Sequence, residues 1–167
     1  MRIACAIALS FALSSSLVAQ ASKAADLVGT WELVNVKDMK TGKVTRNTGT
    51  AWMQFTKSHW MVINMEAGRK TVTDSDFEKL SPDAKAKANY ARIWNDKNEQ
   101  IFAARGGTYT LTGDKLHHPA TVAIYSNIIG VDRVLKITRL DKTMLVALTE
   151  YPDDPATNVE FSYRRID

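Results

Sequence analysis

The stretch GTYTLTGDKLHHPATVAIY, residues 107–125, decides the fold class. In its first six residues Gly107, Tyr109 and Leu111 point to one side of an extended chain, and Thr108, Thr110 and Thr112 to the other. That is the period of an antiparallel strand with one buried and one wet face. Gly113, Asp114 and Lys115 then make a tight turn and the chain returns through LHHPATVAIY. Towards the C-terminus, residues 126–130 turn into VDRVLKITRL, Asp141-Lys142 turns into TMLVALTEY, and the loop PDDPATN leads to a last strand, VEFSYRRI. Towards the N-terminus, LVGTWELVNVK, TAWMQFT and WMVINME read as three further strands, the latter two joined by Lys57-Ser58-His59. The expected total is eight.

Between the third and fourth strands the pattern changes. Ser75 with Glu78 three residues on makes a capping box, and Ser81-Pro82 pairs an N-cap with a favoured first helical residue. Tyr90, Ile93, Trp94, Lys97 and Ile101 recur at helical spacing until the polar NDKNEQ interrupts them. Short antiparallel strands in a meander lose their exposed edges by rolling up and pairing first to last. The expected fold is therefore all-β: an eight-stranded antiparallel up-and-down β-barrel with a helical insertion between strands 3 and 4. A two-layer β-sandwich is the competing architecture. A closed barrel of that size holds side chains or one small ligand.

The first 24 residues read as a secretory signal peptide: Arg2 precedes a serine-dotted apolar run that ends among small residues, with Ser22-Lys23-Ala24 as the favoured cleavage site. The mature domain would be residues 25–167, periplasmic or secreted, and no later apolar run is long enough to span a membrane. Cys5, the single cysteine, lies in the leader, so the mature chain has neither disulfide nor thiol nucleophile. Its core alone must hold it together, which about 145 residues can do. Arg2 and Lys23 leave with the leader and no acid goes with them, so the formal charge falls from +4 to +2. Basic residues are scattered, and Lys85-Ala86-Lys87 reads as a solvated helix face, so no nucleic-acid partner is expected.

Near the mature N-terminus, Gly29-Thr30-Trp31 sets a glycine two residues before a tryptophan at the start of the first strand. In a barrel the glycine allows a sharp bend at the closed end, and the indole plugs that end from inside. With eight strands following, this resembles the lipocalin and calycin signature. More narrowly, Gly107-Thr108-Tyr109, His117-His118, Asn127-Ile128-Ile129-Gly130 and Arg133, in that order behind a helical insertion, make the chain similar to bacterial lipocalin-like domain proteins. The resemblance implies an arginine of the last strand packed across the first-strand tryptophan. By alternation Arg165, sharing a face with Phe161 and Tyr163, is the candidate, with a structural role.

Candidate site residues follow from the faces. Arg133 shares a face with Val131, Leu135 and Ile137, and a guanidinium there must be paired. It either grips an anionic ligand group such as a carboxylate, bridges to Glu150 or Glu160, or reaches water at the rim. His118 falls on an apolar face and His117 on the opposite one, so the two cannot chelate one metal, and no metal site or cofactor is expected. His118 is either a proton donor and acceptor beside a ligand or a hydrogen-bonded core residue. Trp52, Gln54, Trp60 and Asn64 fall on one numerical parity and Met53, Phe55, Met61, Ile63 and Met65 on the other; either set can line the lumen. Tyr109 and Trp94 complete the expected ligand contacts. No G-x-S-x-G motif or suitably spaced carboxylate pair occurs. The expected function is binding of a small, largely apolar or amphipathic molecule in the barrel. A barrel isomerase or cyclase using His118, Arg133 or Tyr109, and a protein-binding or inhibitor module, are the alternatives. Oligomeric state is not readable.

Overall fold

The computed structural model describes residues 23–67, 74–91, 102–151 and 154–167. Most of the expected leader, Cys5 included, lies outside the described residues, as do Ile93, Trp94, Lys97 and Ile101 of the expected helical stripe. The described part of the chain opens with a helical turn, α1 (residues 23–27), and continues into β1 (Gly29–Asp38), β2 (Val44–Arg46), β3 (Thr50–Phe55) and β4 (His59–Met65). Two helices follow, α2 (Asp74–Glu78) and α3 (Pro82–Ala91). The remainder is β5 (Phe102–Thr108), β6 (Thr110–Thr112), β7 (Lys115–His117), β8 (Val122–Ala123), β9 (Val134–Leu140), β10 (Met144–Thr149) and β11 (Val159–Arg165). No helix of the described residues is long and apolar enough to cross a membrane.

The strands form one continuous antiparallel sheet that curls in the manner of a β-barrel, not two stacked layers. Its order is β6-β7-β9-β10-β11-β1-β3-β4-β5-β8, with β2 set against β1. The first and last strands pair along most of their length, from Trp31 opposite Arg165 to Asp38 opposite Val159, with a bulge between Leu33 and Asn35. Among the described residues the count of strand segments is eleven, against the eight expected. One addition is β2, whose TGKVTR neighbourhood is too polar to show alternation. The others arise where long strands break. Tyr109 alone separates β5 from β6, and residues 118–121 separate β7 from β8. Pro119 explains the second break, because it has no N–H to give to a ladder. β9 begins at Val134, so Arg133 lies just before it, although its carbonyl accepts from the His118 N–H at 3.1 Å.

Turn chemistry sets the hairpins. Gly113 has φ 65°, as its turn requires, and the Asp141 carboxylate accepts from the Thr143 and Met144 backbone N–H groups at 2.8 and 2.9 Å. Ser81 caps α3, its Oγ accepting from the Ala84 N–H, while Ser75 lies inside the first turn of α2 instead of preceding it. Lys85 pairs with Glu78 and lies over the Phe77 ring.

The β3–β4 hairpin pairs Phe55 with Trp60, Met53 with Val62 and Ala51 with Asn64. Residues that face each other across two strands share a side of the sheet, and here odd numbers on β3 face even numbers on β4. Ala51, Met53, Phe55, Trp60 and Val62 are all buried, whereas Trp52, Gln54 and Met61 are exposed. The expected grouping of Trp52 and Gln54 with Trp60 and Asn64 is thus corrected. The hairpin register, which neither strand's own pattern contains, sets which parities meet.

One end of the curl is packed solid. Trp31, Leu27, Phe55, Leu116 and Leu145 are its largest fully buried side chains, joined by Trp60, Leu111 and Tyr163. The Trp31 Nε1–H donates to the Leu27 carbonyl at 2.8 Å, and the Arg165 guanidinium lies over the indole at 4.3 Å from the ring centre. Arg165 also donates to the backbone carbonyls of Val28 and Asp26, tying α1 across the floor. Gly29 makes this possible. Its φ is +141°, and a Cβ there would stand 2.3 Å from an Arg165 nitrogen.

Gly107 has a similar role higher on the wall. A Cβ on it would stand 2.2 Å from the Pro119 carbonyl oxygen, which itself accepts the Trp60 Nε1–H at 3.2 Å. Gly107→Ala therefore pushes apart two chain segments, and we expect a loss of about 1–3 kcal/mol. Urea unfolding monitored by circular dichroism measures it; an unchanged midpoint would show that the wall yields freely.

Candidate functional site

Away from the Trp31 floor, the same faces that are apolar lower down become polar. On β5 the residues opposite inward-facing Asn64, Val62 and Trp60 are Ala103, Arg105 and Gly107. Arg105 therefore points to the inside. On the other wall the inward run of Ile137 and Leu135 continues through Arg133, and that of Leu116 continues through His118. The Tyr163 ring lies 6.2 Å from that of Phe161 and is itself buried.

Electrostatics ties these groups together. Burial, and then the charge of Arg133, lower the pKa of Arg105 from its ordinary value, while the Tyr163 and Tyr151 hydroxyls offset part of the drop. Burial pushes the Tyr163 phenol well above its usual range, and Arg105 opposes that rise. His118, 3% exposed, is brought down to about 4, first by burial and then by the positive charge of Arg105, with Arg133 adding to it. The carbonyls of Leu116 and Arg133 offset part of that fall. His118 is neutral near pH 7 and sits edge-on to Trp60, with ring centres 4.8 Å apart. Neither its Nδ1 nor the Arg105 Nε has a partner in hydrogen-bond geometry among the described residues.

Among the described residues no carboxylate is paired with either arginine. The ion pairs among the described residues join Lys79 to Asp76, Lys85 to Glu78, Lys115 to Glu150, His117 to Asp132, Arg139 to Asp141 and Arg164 to Glu32. Glu150, one of the acids weighed for Arg133, is taken by Lys115 on the outside. The arrangement is a cationic band around a neutral histidine, set above an apolar floor. It suits an anion, and it lacks the ligands for a metal: no three His, Cys, Asp or Glu side chains converge among the described residues.

A hollow of about 430 Å³ opens at the rim, lined by inward-facing Leu33, Ala51, Asn64 and Ala103 and by the loops around Asn47–Gly49 and Glu66. A second hollow, about 540 Å³, is lined by Met61, Ile63, Ala104, Val122 and Ile124, which carry the opposite parity from the buried residues, and also by Trp60, Arg105 and Gly107.

Of the expected ligand contacts, Arg133, His118, Trp60 and Asn64 fall on the inner face. Trp52 and Gln54 face outward, and Trp94 lies outside the described residues. Tyr109 is turned to the closed end: its hydroxyl donates to the Thr56 carbonyl at 2.8 Å, and its ring meets Phe55 edge-on at 5.2 Å. Gly29, Trp31 and Arg165 meet at the floor. Arg105 is not among the expected residues, because the alternation visible in the sequence starts at Gly107. Continuing the parity of Gly107, Tyr109 and Leu111 backwards through Arg105 and Ala103 would have found it.

No protein-family model matches the chain, and no curated protein matches it at a significant level. Among solved structures the chain is similar to a lipocalin-like protein from Bacteroides uniformis, with 13% identity, 84% of this chain and 99% of that chain covered, and a TM-score of 0.48. It is also similar to an uncharacterized protein from Bacteroides eggerthii, at 14% identity, 84% and 99% coverage and a TM-score of 0.45. A third similarity is to a de novo designed fluorescence-activating β-barrel, at 14% identity, 86% and 96% coverage and a TM-score of 0.40.

Proposed function

We propose that this protein is an exported lipocalin-like barrel that binds a small, largely apolar molecule in the upper part of its lumen. In this reading the eleven segments act as eight staves. β5 and β6 form one stave and β7 with β8 its antiparallel neighbour, β2 is an offshoot of β1, and α2 and α3 belong to an insertion between the third and fourth staves. Four pairings support that closure: β5 beside β4, β7 beside β6, β7 beside β9, and β11 beside β1. The observation that carries the functional reading is the contrast along the tube. One end is filled by Trp31, Phe55, Leu116 and Leu145, while the other has a hollow reaching the inward side chains of Leu33, Ala51, Asn64 and Ala103. The hollow sets apolar Leu33, Ala51 and Ala103 beside polar Asn47, Thr48, Thr50, Asn64 and Glu66, and small-molecule sites combine apolar wall with placed polar groups.

Native mass spectrometry of protein purified without detergent tests the proposal. A bound apolar molecule, released on denaturation, is the expected result. Protein that carries no adduct and takes up neither 1-decanol nor decanoate would contradict it. Export is tested separately, by N-terminal sequencing of the protein recovered from outside the cytoplasm, with Ala25 expected as the first residue.

A further inference from the structure

We infer that two copies of this chain associate face to face through the outward side of β3, β4, β5 and β8, a ridge of each copy seated in a furrow of the other. These four strands carry one charged residue, Arg105, and it points inward. Their outward side is apolar and open: Val122 is 65% exposed, Trp52 and Met61 44% each, and Met65 and Ile124 are exposed as well. Scattered apolar residues are ordinary on a protein surface, whereas a contiguous group marks a contact surface. The register makes this group contiguous. Trp52 stands opposite Ile63 and Ile63 opposite Ala104, and in the next row Met61 stands opposite Gly106 and Gly106 opposite Val122. β10 shows the solvated alternative. Its outward Met144, Val146 and Leu148 stand between Arg164, Ser162 and Glu160 on one side and Arg139 and Lys136 on the other, and the stems of long charged side chains cover apolar neighbours while their heads stay in water.

Shape, charge and area select a second copy as the occupant. Ala104 and Gly106 carry little or no side chain, so β5 is the floor of a furrow of about 540 Å³ between Met61 and Ile63 on β4 and Val122 and Ile124 on β8. Ridge and furrow lie one strand apart, about 4.8 Å. A twofold axis running along the strands between them places each copy's ridge in the other's furrow, which is the self-complementarity that a symmetric dimer needs. The chain is net positive, +4 by formal count, and a face without fixed charge lets like meet like without opposing equal charges. Four strands about six residues long span roughly 20 by 20 Å before their relief is counted. That is about half of the ~800 Å² each partner gives to a standard interface, so the dimer is reversible, with a dissociation constant on the order of 10 μM.

Sedimentation velocity of the purified protein, in detergent-free buffer from about 1 to about 200 μM, tests this. The sedimentation coefficient is expected to rise from the monomer value to the dimer value across that range. Met61→Lys and Val122→Lys, both at exposed positions and checked for fold by circular dichroism, are each expected to weaken association about tenfold or more, because each sets two like charges against one another across the twofold axis. Gln54→Lys, in the same row as Met61 and already polar, replaces either variant should it misfold. Wild-type protein that stays monomeric at the highest concentration would overturn the inference, and this is also the result if a lipid or another part of the chain fills the furrow. A dimer that survives all the substitutions would overturn it too, since its contact then lies elsewhere.

Discussion

Trp31→Ala is expected to lower the free energy of unfolding by about 3–5 kcal/mol, the range for removing a fully buried large aromatic side chain. Trp31 has no exposed surface; two interactions converge on its ring and a third runs through its backbone. Its indole N–H holds the carbonyl of Leu27, itself fully buried, and so anchors α1. Its face carries the Arg165 guanidinium, whose other bonds run to the Val28 and Asp26 carbonyls. Its strand partner across the closure is the same Arg165. Deleting the indole leaves a cavity at the floor and removes the surface on which the arginine rests. Urea denaturation followed by circular dichroism reads the loss. A decrease below about 1 kcal/mol, the scale of an ordinary surface change, would mean that the floor is not a structural seal.

Acid is expected to destabilise the protein through His118. Its folded-state pKa is about 4 and its ordinary value 6.5, so between these pH values the unfolded chain takes up a proton that the folded chain refuses. Stability is therefore greatest above pH 6.5 and falls as the pH drops towards 4. A gap of this size corresponds to about 3 kcal/mol in total. His118→Gln removes the titrating group while keeping polar atoms at the site. The difference in unfolding free energy between pH 7 and pH 4.5, from urea denaturation, should shrink in the variant by most of that amount. Equal acid sensitivity in both proteins would show that His118 titrates normally and that the arginines do not act on it.

The β character of the chain was legible because most strands alternate one dry face with one wet face. β1, β3, β4, β10 and β11 lie within two residues of their expected bounds. The floor was legible too, in Gly29, Trp31 and Arg165, since a glycine with a positive φ and a tryptophan two residues on are local features. What could not be read was relational. Whether Trp52 joins Trp60 inside depends on how the β3–β4 hairpin is registered, and the pairing of Phe55 with Trp60 sends Trp52 out. Arg105 was hidden for a different reason. On FAARGG the inward side chains are an alanine, a guanidinium and nothing at all, so the strand shows no apolar stripe, and the arginine is the residue that breaks the pattern.

The most direct test of the whole account is the crystal structure of the decanoate complex. The account predicts the alkyl chain inside the curl of strands above Trp31. Decanoate found only on the outer wall, against Met61 and Val122, would contradict it.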